Sequence, residues 1–148
     1  MGEADRIYSI LTRELGLIRA RATGVRKDVS KLRGNLEPIS LTEVSLVKGK
    51  NDWRLTSASH IKSITLSEFL ARPLLMLEKL VQGEENHPEL FDAIEQFVIS
   101  ENEHDEIFEI TLVAQILFHL GYLNKSDLDL DKKGLIKAIN SGLEASML

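Results

Sequence analysis

Six cations crowd into one sixteen-residue run, RARATGVRKDVSKLRG at residues 19–34. They are Arg19, Arg21, Arg26, Lys27, Lys31 and Arg33, set against the single acid Asp28. Such density suits phosphate binding. A cation placed beside a phosphate displaces condensed counterions, and the contacts add up to an affinity that ignores base sequence. Arginine also offers a planar fork that matches phosphate oxygens. Lys48 and Lys50 flank a glycine turn further on, and Arg54 follows Trp53, the sole tryptophan. These three extend the candidate phosphate track. The alternative reading is a solvated strand face followed by a charged loop. Trp53 reads as a core residue of a hairpin, with base stacking as the alternative.

Other chemistry finds little support. SENEHDE at 100–106 sets His104 among carboxylates, but its spacing matches no known ligand pattern. Acids belong electrostatically at a helix N-terminus, and the run reads that way. His60, His87 and His119 are scattered, and there is no Walker loop, GxGxxG or HExxH. The chain has no cysteine, which excludes disulfides, cysteine-ligated zinc and thiol catalysis. The expectation is a protein that is not an enzyme and holds no metal or cofactor.

The net charge of −5 over 148 residues hides a split. Residues 1–62 carry 12 Lys/Arg against 7 Asp/Glu, whereas residues 63–148 carry 6 against 16. A basic half can meet a polyanion and an acidic half repels one, so two modules with different partners are expected, at 1–62 and 63–148. No apolar run reaches the roughly 18 residues that a membrane span needs. The N-terminus lacks the basic-then-apolar order of a secretory signal, so a cytoplasmic protein is expected.

Short strands must position the cations. DRIYSILTR (5–13) is rich in β-branched and aromatic residues. After an ELG turn, LIRARA (17–22) alternates, with Ile18, Ala20 and Ala22 on one face and Arg19 and Arg21 on the other. ISLTEVSLV (39–47), the turn KGKND (48–52) and WRLTSA (53–58) read as a hairpin. Helices are expected over 66–83, 87–98, 105–121 and 131–148, with Pro73 kinking the first or marking a later start. Asp131 is expected to cap the last, and Gly121 to end the third. The fold class is therefore α+β, a small sandwich or barrel followed by a helical domain.

The first half resembles the RecO family of recombination mediators. The elements that carry the resemblance are EADRI, LTRELG, GVRK, SKLRG and LEPISL, in that order within residues 2–50. HPELFDAIEQF and FEITLVAQILFHLGYLNKSDL are similar more loosely to the family's helices. The resemblance implies an oligonucleotide-binding (OB) fold and a protein that binds single- and double-stranded DNA and promotes annealing. It also implies recombinase loading, a RecR-like ring and the acidic tail of single-strand-binding protein as partners, and association with the nucleoid. The family-similar residues that would touch DNA are Arg19, Arg21, Arg26, Lys27, Lys31 and Arg33. Two departures stand out. Family members have residues ahead of EADRI that begin the first barrel strand, so two expectations stand side by side: a barrel lacking half a strand, with an open edge, or a start assigned too late in the chain. Many also carry a four-cysteine zinc module, and a cysteine-free chain cannot form one. Two rival readings are a protein–protein adaptor that has lost DNA binding and an RNA-binding OB protein. An apolar groove for a partner tail is expected among the helices, received by some of Arg72, Lys79, Lys125, Lys132, Lys133 and Lys137.

Overall fold

A computed structural model describes residues 6–22, 39–81 and 83–146. The chain divides into two compact units, Met1–Leu11 with Leu17–Thr65, and Thr12–Gly16 with Leu66–Leu148.

The first unit is built on a sheet of four strands: β1 Arg6–Thr12, β2 Gly16–Ala22, β3 Ser40–Lys48 and β4 Trp53–Ser63. Their order is β1-β2-β4-β3. The sheet is OB-like but does not close, and among the described residues β1 and β3 are its edges. β3 and β4 form the expected antiparallel hairpin. β4 also runs parallel to β2, pairing Ala20 with Trp53 and Arg21 with Arg54. β4 is longer than its sequence suggests, reaching Ser63 rather than Ala58. Two register shifts, between Ser45 and Leu46 and between Leu41 and Thr42, break its alternation. Period two is lost at such shifts, and with it the sequence signal.

The alternation read in β2 is present. Ile18, Ala20 and Ala22 are buried, while Arg19 is exposed and Arg21 half-buried. Ala20, Ala22 and Leu55 form a small core, backed by Tyr8, Ile10, Val44, Leu46, Trp53 and Ala58. Two alanines at its centre let the sheet side chains approach closely.

The second unit holds α1 Glu68–Leu80, α2 Pro88–Ile99, α3 Glu106–His119 and α4 Lys132–Ala145. α1 runs through Pro73, whose ring is fully buried. Leu70, Leu77 and Val81 are buried, and Leu74 is half-buried. α2 begins at Pro88, where a missing N–H removes no helical bond. α3 is the central helix and packs against the other three. Asp105 caps it by accepting from the Phe108 amide at 2.8 Å. Its end is a Schellman motif: Tyr122 N–H donates to Leu117 O and Gly121 N–H to Phe118 O, with Gly121 at φ 90°. Asp131 caps α4 by accepting from the Gly134 amide at 2.8 Å. The sequence does not announce the 3-10 turn at Lys125–Asp129, since a single apolar residue, Leu128, among four polar ones sets no helical period.

Candidate nucleic-acid interface

Residues paired across neighbouring strands point to the same sheet face. Arg21 stands beside Arg54, and Arg54 beside Val47. Alternation adds Arg19 on the same side of β2. Three arginines therefore share the face opposite the Ala20/Leu55 core, on strands about 4.8 Å apart. Arg19 and Arg54 are exposed. Arg21 is more confined. Its Nη2 lies 3.4 Å from Asp52 Oδ2, on the turn between β3 and β4. Its Nε is buried with no hydrogen-bond partner among the described residues.

The remaining candidates go elsewhere. Lys48 pairs in register with Trp53, which places both on the core side at the sheet rim. Lys48 Nζ stands 4.7 Å from the Trp53 ring centre, within cation–π range. Trp53 itself is half-buried against the small core. Lys50 is exposed on the turn, which the Gly49 amide closes by donating to Asp52 O at 2.7 Å. Arg26, Lys27, Lys31 and Arg33 lie outside the described residues.

Sequence reasoning missed Lys62. Beyond the second register shift, Leu41 pairs with Lys62. Leu41 alternates with Glu43 and Val47 on the arginine side of β3, so Lys62 joins that face near the far end of β4. The sequence signal for the strand fades after Ala58, because the first shift inverts the parity of β4 and the second restores it only at Lys62.

The second unit carries an apolar groove of about 550 Å³ between α1, α3 and α4, lined by Met76, Ile110, Val113, Ile136, Ile139 and Leu143. Arg72 and Lys79 also line it. Of the six cations named from the sequence, these two line this groove. Arg72 is heavily committed: its Nε and Nη2 donate to Glu109 at 2.6 and 2.8 Å, and Nη1 lies 3.3 Å from Glu68. The hydrogen bond to Glu109 raises the already high Arg72 pKa. Lys79 makes no ion pair among the described residues. Lys132 is paired with Glu106 at 3.2 Å.

His104 belongs to packing. Its ring stacks on Phe108 with centroids 4.2 Å apart, and Nδ1 lies 2.8 Å from Ser67 Oγ. Among the described residues no three His, Asp or Glu side chains converge as a metal site would need, and no helix is long and apolar enough to cross a membrane.

Comparison with known proteins bears on this face. Residues 1–64 match the family model described as Recombination protein O N terminal. The chain is 37% identical over 111 residues to the DNA repair protein RecO of Trichodesmium erythraeum, covering 74% of this chain and 35% of the relative. It is 31% identical over 130 residues to that of a Cyanothece species, covering 81% and 43%. A Synechococcus relative of the same name is 44% identical over 70 residues, covering 47% and 25%. The chain thus spans less than half the length of these curated relatives. Its first 64 residues match the family's N-terminal domain, the likeness runs on into the helices, and the chain belongs to the RecO family.

Proposed function

We propose that the chain binds single- and double-stranded DNA through its sheet unit and acts, without catalysis, as a recombination mediator in DNA repair. The observation that carries this is the gathering of Arg19, Arg21 and Arg54 on one sheet face in a RecO-family chain. Cations fixed on a rigid sheet neutralise phosphates irrespective of sequence. Lowering the repulsion between two strands in this way favours annealing. Arg26, Lys27, Lys31 and Arg33 follow β2 in the chain and extend the supply of positive charge. Residues 63–148, with 16 acids against 6 cations, repel DNA and are left for protein partners. Those implied by the family are a RecR-like ring and single-strand-binding protein, whose acidic tail would suit the groove beside Lys79. Loading of a recombinase follows from holding both strand and coating protein. The chain would work in the cytoplasm, at the nucleoid.

The test is anisotropy of a labelled single strand across a salt series. Replacing Arg26, Lys27, Lys31 and Arg33 together by Ala should weaken binding and flatten the log–log salt slope by up to about 2.8, at about 0.7 per single-strand contact. Unchanged affinity and slope would remove that segment from the interface. An adaptor without DNA binding is the second reading, favoured by the engagement of Arg21 with Asp52. It predicts no retardation of DNA at low salt alongside retained binding of a repair partner. Competition between matched DNA and RNA strands separates the RNA-binding alternative.

A further inference from the structure

We propose that Asp52 is a built-in competitor of phosphate on the arginine face. Its carboxylate holds Arg21 until a nucleic-acid phosphate displaces it, and this exchange sets the affinity and its salt dependence. The inference rests on the DNA-binding reading above.

The register creates the need for such a group. Arg21 and Arg54 are direct neighbours across β2 and β4, and like charges set opposite each other repel. Asp52 precedes Arg54 by two residues, on a turn fixed by the bond from the Gly49 amide to Asp52 O. The turn is close-fitting. A Cβ at Gly49 would lie 2.8 Å from Asp52 O and 3.1 Å from Asp52 Oδ1. The carboxylate is therefore held at the face by the backbone and does not arrive there by chance rotation of a long side chain.

The contact is nevertheless built to yield. Its 3.4 Å separation exceeds the roughly 2.7–2.9 Å of a charge-assisted hydrogen bond. The side chains of Arg21 and Asp52 are 39% and 46% exposed, so water and salt screen the pair. Arg21 is also poorly satisfied while it stays there, since its Nε is buried and unpartnered among the described residues. A buried donor without an acceptor is costly. Swinging outward to a phosphate gives Nε a partner and relieves the repulsion with Arg54. Release thus has a local driving force, and the phosphate supplies the charge that Asp52 supplied before.

The experiment compares the wild-type chain, Asp52→Asn, Arg21→Ala and the double variant by anisotropy of a labelled oligo-thymidine strand over a salt series. Asn keeps the backbone carbonyl that closes the turn, and thermal melts followed by circular dichroism establish that each variant is folded. Asp52→Asn should bind about two- to fivefold tighter at about 50 mM salt, the range of a weak exposed pair. Its salt slope should steepen by up to about 0.7, because the carboxylate freed in the wild-type complex takes back a counterion and the Asn amide does not. With Arg21 already Ala, Asp52→Asn should bring no tightening. Equal or weaker binding by Asp52→Asn would overturn the inference, because Asp52 would then position Arg21 or be irrelevant to it. Tightening that persists undiminished without Arg21 would overturn it too, as an effect of net charge alone. Failure of both wild type and Asp52→Asn to bind at low salt would remove the DNA-binding reading itself. Failure of the inference alone leaves wild-type binding intact.

Discussion

Replacing Arg54 and Lys48 by Ala, one at a time, tests whether the sheet sorts its cations by face. Both residues are exposed and each carries one positive charge, so composition alone makes them equivalent. The structure does not. Arg54 sits on the outer face beside Arg21, and Lys48 lies on the core side over the Trp53 ring. If DNA tracks the outer face, Arg54→Ala removes one contact and about 0.7 from the single-strand salt slope. Over a fourfold rise in salt, from about 50 to 200 mM, that slope corresponds to about 2.6-fold in affinity. The wild-type chain should lose that much more than Arg54→Ala across the same interval. Lys48→Ala should keep the wild-type slope, because a charge on the far side of the sheet is screened within about 10 Å at such salt. It should instead alter the emission of Trp53, which reports alone because the chain has one tryptophan. Salt titrations by anisotropy, with intrinsic fluorescence recorded on the same samples, give both readouts. Equal flattening by the two variants, or an unmoved slope in Arg54→Ala, would refute the face assignment.

Two further predictions concern the helical unit. Leu117→Ala empties a fully buried site of α3 packed among Ala114, Leu123, Leu135 and Ile139, and should cost about 3 kcal/mol, read from urea unfolding by circular dichroism; a loss under about 1 kcal/mol would mean this core is loosely packed. Gly121→Ala meets no atom within 4 Å, so its cost of about 1 kcal/mol should come from the backbone at φ 90° alone, and unchanged stability would contradict the Schellman geometry.

Local features were legible in the sequence and long-range ones were not. The alternation of Ile18, Ala20 and Ala22 against Arg19 and Arg21 follows from the two-residue period of a strand, whatever the strand pairs with. Asp131 caps α4 because a short acceptor beside a run of unpaired amides has a local partner three residues on; Asp105, legible only as an acid suited to a helix start, caps α3 in the same way. Gly121 ends α3 for a comparable local reason. The extent of β4 was hidden because its register shifts destroy the period on which strand reading rests. The parallel pairing of β2 with β4 joins residues more than thirty apart in the chain, and nothing near either strand announces the partner. The sequence could therefore place Arg21 on a polar face but could not place Arg54 or Asp52 beside it. It could supply six candidate cations for a groove but could not choose Arg72 and Lys79.

That difference changes how charge in such a chain should be weighed. Counting gives residues 1–62 an excess of five cations and treats every one as available to phosphate. The fold gives several of them an occupation: Arg21 faces Asp52, Lys48 covers Trp53, and in the second unit Arg72 bridges Glu68 and Glu109. A cation already facing a carboxylate adds to the binding of phosphate only the difference between two anions, which for an exposed pair is small. Arg54 makes no ion pair among the described residues, and it lies on the outer face. It should therefore contribute more to the salt dependence of DNA binding than Arg21, although the two are adjacent and chemically identical. What distinguishes them is a single aspartate on the turn between β3 and β4.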